Sequence, residues 1–269
     1  MNNLKKFINE STISLAKMRR EILEIGFSAK EGHIPSAFSI LEIIYTIYGS
    51  SILKKHFLSS KNINDKFILS KGHASLGLYA VLSELRLIKK KDFISFCKFN
   101  SICGGHPDKT KNVNFEVSTG SLGHGLPVAV GLALSYKKKY GNMAPKVFCL
   151  IGDGEANEGT TWESLLVARS RSLNNLICII DFNKSNERAL PLRDLKILLK
   201  GFSLNIKEIS GHSIKEIHSS LTNLSDVLPN IIIANTIKGK GIKVMENNHA
   251  WHHKTPSREE LDKMLSEII

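Results

Sequence analysis

Three short runs in this chain are apolar at every position: Val-Phe-Cys-Leu-Ile at 147–151, Leu-Ile-Cys-Ile-Ile at 176–180 and Ile-Ile-Ile-Ala at 231–234. A strand with one wet face alternates apolar and polar residues, whereas a strand that is apolar throughout is covered on both faces. Segments of helical periodicity separate the runs, and helices on both faces of a parallel sheet are the arrangement that satisfies this alternation. The pattern predicts strands over 67–69, 147–151, 176–181, 206–209 and 231–235, and helices over 74–87, 127–139, 160–171 and 213–221. Leu15, Met18, Ile22 and Ile25 mark an amphipathic helix near the N-terminus. A second helix starts near Ser36, with Phe38, Leu41, Ile44, Tyr45 and Tyr48 on one face. Ser257-Arg258-Glu259-Glu260 has the capping-box pattern that opens a last helix. With no internal repeat and no low-complexity linker, residues 1–269 are expected to form one α/β domain, a parallel sheet flanked by helices.

No uninterrupted apolar run reaches membrane-spanning length. The first residues, Met1 to Phe7, are polar and basic, and no signal-peptide stretch follows them. The expected setting is the cytoplasm, away from membranes. Cys149 and Cys178 lie inside apolar runs, and Cys97 and Cys103 stand six apart without metal-type pairing, so buried or free thiols are expected. The net charge of +12 raises the question of nucleic acid. The lysines are spread along the chain (Lys5 and Lys6, Lys54 and Lys55, Lys89 to Lys91, Lys137 to Lys139), mostly near predicted helix ends, which reads as a solvated surface.

The strongest chemical signal is Gly152-Asp153-Gly154, directly after the run 147–151, with Asn183 at the end of the next strand, thirty residues after Asp153. In a parallel α/β sheet, ligands gather at the carboxyl ends of the strands, where both residues fall. A carboxylate and an amide oxygen are hard ligands suited to Mg²⁺, which keeps few protein ligands beside diphosphate oxygens and water. The glycines let the backbone approach phosphates closely.

Residues 149–163, Cys-Leu-Ile-Gly-Asp-Gly-Glu-Ala-Asn-Glu-Gly-Thr-Thr-Trp-Glu, followed by Ile-Asp-Phe-Asn-Lys at 180–184, resemble the thiamine-diphosphate motif of the transketolase family. Gly32-His33-Ile34-Pro35-Ser36, Leu69-Ser-Lys-Gly-His-Ala-Ser75 and Gly104-Gly-His-Pro-Asp108 resemble its three histidine loops. Ser118-Thr-Gly-Ser-Leu-Gly-His-Gly125 resembles the loop that lies against the cofactor's rings, and Thr236-Ile-Lys-Gly-Lys-Gly241 with Trp251-His252 resembles the closing segment of the cofactor domain.

The resemblance implies a role for each matching position. Asp153, Asn183 and the backbone carbonyl of Ser185 would hold Mg²⁺, while Gly154, Ser36, Lys238, His73 and His252 would meet the diphosphate, the histidines through charge-assisted hydrogen bonds. Gly120, Ser121 and Leu122 would line the thiazolium and aminopyrimidine, and His33, His106 and His252 would face the sugar's hydroxyls. Glu158 would face a partner that contributes the activating glutamate. The implied reaction moves a two-carbon ketol unit from a ketose phosphate to an aldose phosphate. His56, His212, His218 and His253 stand outside these motifs and read as surface or packing residues; His249 is ambiguous.

The chain departs from the family in four places. Complete transketolases are more than twice as long, so the pyrimidine-binding domain is expected on a separate C-terminal subunit, in a heterotetramer. His124 stands where glutamine is usual, Ile34-Pro35 replaces the usual proline-glycine order, and 184–190 lacks the customary pattern after the metal-binding asparagine. These departures leave open a specialised sugar or a 2-oxo acid as substrate of another thiamine-dependent reaction. A non-catalytic scaffold is the remaining alternative.

Overall fold

The computed structural model describes residues 2–268 apart from 59, 60, 113, 114, 188, 189 and 193, with the backbone alone at 2, 3, 55–58, 61 and 62. Its strands are β1 (Lys55–Leu58), β2 (Lys61–Asn64), β3 (Lys66–Leu69), β4 (Val147–Gly152), β5 (Leu176–Phe182), β6 (Asn205–Ser210) and β7 (Asn230–Asn235). Its α-helices are α1 (Asn2–Ala29), α2 (Ile34–Gly49), α3 (Ser75–Glu84), α4 (Lys90–Ile94), α5 (Gly125–Tyr140), α6 (Gly159–Ser170), α7 (Leu195–Lys200), α8 (Ile214–Thr222) and α9 (Arg258–Glu267).

The expected parallel sheet is present, five strands in the order β3-β4-β5-β7-β6, each parallel to its neighbours. Successive side chains of a strand point to opposite faces, and both faces here are apolar. Phe148, Leu150, Ile177, Ile179, Ile232 and Ala234 join the core beneath α1, α2, α3, α8 and α9. Val147, Cys149, Ile151, Cys178, Ile180 and Ile231 join the core beneath α5, α6 and α7. The two cores account for the uninterrupted apolar runs and for the buried thiols Cys149 and Cys178. Cys103 is also buried and Cys97 exposed, and all four thiols are free.

α2 is buried from Ile34 to Ile47 because it lies between α1, α3 and α8. Its buried Glu42 pairs with Arg19 of α1 and takes a hydrogen bond from His212 Nδ1 at 3.0 Å. His212 Nε2 accepts the backbone N–H of Ile237 at 2.8 Å, which fastens the segment after β7. This is the packing role expected of His212. The side chain of His56 lies outside the described residues.

Two helices stop where no sequence signal marks an end. α3 stops at Glu84 rather than 87, because Arg86 turns left-handed (φ 58°) and the Leu87 N–H returns to the Leu82 carbonyl at 2.7 Å. α1 ends the same way at Lys30 (φ 53°), with Glu31 N–H to the Gly26 carbonyl. Such stops are normally announced by glycine, and here a charged residue makes them. The antiparallel β1–β2 hairpin and the short α4 and α7 had no periodic signal long enough to predict. The capping box at Ser257 and Glu260 forms as expected.

Candidate functional site

The carboxyl ends of β3, β4, β5 and β7 all open toward one side of the sheet, and the loops that leave them surround a cavity of about 370 Å³. Its lining brings together His33 and Ser36, His73, and His252 from three distant segments. Gly120 and Leu122 come from the loop before α5, Asp153 and Gly154 follow β4, Ser185 follows β5 and Lys238 follows β7. The sequence separately nominated every one of these ten.

Four other nominated residues sit around this cavity without lining it. Asn183 is buried behind the lining, where it borders a neighbouring cavity of about 450 Å³ that shares Ser185 and Lys238. His106 is exposed, its ring against Gly120, where a Cβ would come within 3.0 Å of the imidazole. Ser121 is exposed; its hydroxyl lies 3.2 Å from His124 Nδ1, which also lies 3.0 Å from the Leu122 carbonyl. Glu158 is the exposed N-cap of α6 and makes no side-chain capping bond. It packs on Gly123 (φ 79°), where an added Cβ would lie 2.7 Å from the glutamate Cβ. Of the altered segment 184–190, residues 188 and 189 lie outside the described residues.

Asp153, Asn183 and Ser185 form one polar knot. The Ser185 N–H donates to Asp153 Oδ2 at 2.8 Å and to Asn183 Oδ1 at 3.0 Å, so the two side-chain oxygens converge on one backbone position. Behind them lies a charged network that no sequence signal assigned. Asp181, fully buried, pairs with the Lys71 ammonium and accepts from Ser39 Oγ at 2.6 and 2.8 Å, from Thr236 Oγ1 and from Asn183 Nδ2 at 3.0 Å. Asn183 Nδ2 also donates to Ser39 Oγ at 2.9 Å. The amide nitrogen is thus committed inward, and its oxygen is turned toward Asp153 and Ser185. Glu155 is the second unassigned residue: it accepts from Ser70 Oγ and from the N–H groups of Gly123 and Gly152, both at 2.9 Å. One buried carboxylate ties the three loops together.

The electrostatics are set by burial. Burial and then Asp181 push the Asp153 carboxyl up from its ordinary value, which marks a carboxylate short of positive charge. Burial alone would raise Asp181, but Lys71 and three hydrogen bonds hold it below the usual range. Burial first, then Lys71, takes Lys238 down to about 8. His73 falls to about 2 through burial and Lys71, and His33 to about 4 chiefly through burial. His252 is also lowered, by burial and Lys238. The histidines are therefore neutral near pH 7, and an N–H that they donate to an anion takes its charge assistance from the anion alone. Positive charge at the cavity comes from Lys238 and Lys71.

Two tautomers follow from the partners. His33 Nδ1 lies 3.1 Å from the His252 carbonyl, which can only accept, so the proton is on Nδ1 and Nε2 carries the lone pair. His252 Nδ1 lies 2.8 Å from the Lys238 ammonium, a donor, so its proton is on Nε2. The rings stand 5.1 Å apart and nearly perpendicular. One offers an acceptor and the other a donor, the pair that a sugar hydroxyl requires.

Ser36 supplies a test of whether an anion fits. Its hydroxyl is buried, lines the cavity, and has no hydrogen-bond partner among the described residues. Buried polar groups are almost always satisfied, so a group able to accept from Ser36 beside Lys238 and the Gly154 loop matches the donors present. Among the described residues no three His, Cys, Asp or Glu side chains gather as a metal cluster. A site of one carboxylate, one amide and backbone oxygen requires no such cluster.

Residues 14–267 match the family model described as transketolase, thiamine diphosphate binding domain. The chain belongs to that family. It is 34% identical over 260 residues to a protein of Actinobacillus succinogenes named as one subunit of an apulose-4-phosphate transketolase, covering 93% of each chain. A protein of the same name from Phocaeicola vulgatus is 30% identical, with 94% of this chain and 91% of the relative covered. Human transketolase is 33% identical over 258 residues, but the match takes up 94% of this chain and only 41% of the human protein. Among solved structures, transketolase from Campylobacter jejuni superposes with a TM-score of 0.82 at 28% identity, covering 99% of this chain and 42% of that one. This transketolase cofactor domain thus spans about two-fifths of the full-length enzymes that it matches, and nearly all of the two bacterial relatives named as subunits. No helix among its described residues is long and apolar enough to cross a membrane.

Proposed function

We propose that the chain is the thiamine-diphosphate-binding subunit of a two-chain transketolase, which moves a two-carbon ketol unit from a ketose phosphate to an aldose phosphate. The observation that carries this reading is the convergence on one cavity of an unsatisfied hydroxyl, a buried lysine, a glycine loop and the Asp153–Asn183–Ser185 knot. Ser36, Lys238, His73, His252 and the Gly154 N–H meet the diphosphate, and Mg²⁺ is held by Asp153, Asn183 and the Ser185 carbonyl. A divalent ion there supplies the positive charge that buried Asp153 lacks. Gly120, Ser121 and Leu122 lie against the cofactor's rings. Thiamine diphosphate, when bound, supplies the nucleophilic carbon that carries the two-carbon unit. His33 accepts from a sugar hydroxyl and His252 donates to one, with His106 at the cavity rim beside Gly120.

The partner carries the pyrimidine-binding domain, and the assembly is a heterotetramer in the cytoplasm. Glu158 is exposed with no capping bond, and Leu166 and Val167 on the same helix and Val128 on α5 are exposed apolar residues, a surface suited to a large apolar interface. The two bacterial relatives covered over more than nine-tenths of their length are both named as subunits, which supports the pairing and makes apulose 4-phosphate the donor to assay first. The test is turnover of ketose and aldose phosphates by the purified chain, alone and mixed with a candidate C-terminal subunit. Activity is expected only in the mixture, and Glu158→Ala lowers it there. Full activity from the chain alone, or none from the mixture, would refute the reading.

A further inference from the structure

Between α1 and α2 the chain turns through Lys30 (φ 53°) and Gly32 (φ 110°) and presents His33 as the N-cap of α2, where its side chain makes no capping bond. The helix does not hold this ring, so its orientation is set from elsewhere. Nδ1 is bound to the His252 carbonyl at 3.1 Å. The His253 ring packs on the His33 ring with centroids 4.5 Å apart and planes at 41°. His253 Nε2 lies 2.7 Å from Glu31 Oε1, and that same oxygen accepts the Gly32 N–H at 3.0 Å. Residues 31–33 and 252–253, about 220 positions apart in the chain, are thereby clasped at one wall of the cavity.

We infer that Glu31 and His253 are positioning residues, which clamp the His33 ring in the Nδ1–H tautomer and so fix the acceptor that it offers to substrate. The inference rests on the proposed sugar-facing role of His33. Stability does not explain the pair: its side chains are 44% and 53% exposed, so solvent screens the contact. Geometry does explain it. Neutral imidazole exchanges between two tautomers unless a partner selects one. The bond to the His252 carbonyl selects it only while the ring stays in that plane. His253 covers the ring face, and Glu31 holds both His253 and the Gly32 turn from which His33 leaves. A substrate-orienting group displaced by a fraction of an ångström loses binding steeply.

The test reads His33 directly. Long-range ¹H–¹⁵N spectra of the full chain, assigned with His33→Asn, should show a protonated-type Nδ1 and an unprotonated-type Nε2 for His33. In His253→Ala both resonances should move toward the averaged position, in Glu31→Gln partway, and His253→Phe should retain much of the wild-type pattern by restoring the ring contact. In the assembled enzyme, His253→Ala should raise the KM for the ketose phosphate by about five- to tenfold, with kcat and thiamine diphosphate affinity within about twofold. An unmoved His33 pattern in His253→Ala would overturn the clasp whatever the KM. A moved pattern with an unchanged KM would uphold the clasp and overturn the sugar-facing role of His33, so the two failures are distinguishable.

Discussion

Asp181→Asn is a one-atom change at a fully buried position, and the structure sets its cost. The Lys71 side chain is 3% exposed and that of Asp181 is 0%, so removing the carboxylate leaves a nearly buried ammonium without its partner. Ser39 and Thr236 are hydroxyls and can reverse their bonds to suit an amide; Lys71 has no acceptor role to offer. Breaking a buried pair from one side costs about 3–5 kcal/mol. For a chain of this size that lowers the melting temperature by roughly 5–10 °C. Lys71→Met breaks the same pair from the other side, leaves the buried carboxylate with three neutral donors, and should cost a similar amount. The double variant, which buries no net charge, should be more stable than Asp181→Asn alone. Thermal and denaturant unfolding of the three variants tests this, and titration with thiamine diphosphate gives a second readout. Asn183 Nδ2 loses a charged acceptor in Asp181→Asn, so cofactor affinity should fall with stability. Refutation would be an Asp181→Asn chain that melts within about 2 °C of wild type, or single-variant losses that simply add.

Asp153→Ala should weaken Mg²⁺-dependent binding of thiamine diphosphate by roughly a hundredfold without unfolding the chain, because one hard ligand is lost; calorimetry showing unchanged affinity would sink the metal assignment. His106→Ala should spare cofactor binding and slow ketol transfer, and lost cofactor affinity with normal turnover at saturation would reverse that role. His33 and His73 stay neutral down to about 4 and about 2, whereas the unfolded chain binds their protons near 6.5. Their contribution to stability is therefore fully present above pH 6.5 and is lost as pH falls toward those values, at up to about 1.4 kcal/mol per pH unit for His73. Denaturation midpoints measured from pH 7.5 to 5 should fall accordingly and less steeply in a His73→Asn variant, where His33 alone of the two remains; an unchanged slope in that variant would refute the source.

The sequence determined the layers and most of the cavity lining. Runs such as 147–151 and 231–234 are apolar at every position because the sheet is covered on both faces, and a pattern with a two-sided cause can be read without coordinates. Gly72-His73 and Gly152-Asp153-Gly154 are legible for a related reason: each follows the end of a strand of the parallel sheet, where ligands gather. Helix stops at Lys30 and Arg86 were not legible, because a left-handed turn made by a charged residue has no composition to announce it.

Only the tertiary structure decided which charges face each other. Lys71 and Asp181 lie 110 positions apart, and each looks locally like an ordinary polar residue at the end of a strand. Their pairing exists because β3, β4 and β5 are adjacent in one parallel sheet, and with it come the orientation of Asn183 and the shortage of positive charge at Asp153. His253 is the same case. Nothing beside it in the chain separates it from a surface histidine, and its contact with His33 arises where the last segment of the chain returns to the turn between the first two helices. Periodicity records what a residue's own element buries. Ion pairs, tautomers and pKa shifts depend on distances between elements, and those distances are set by the packing of the whole chain.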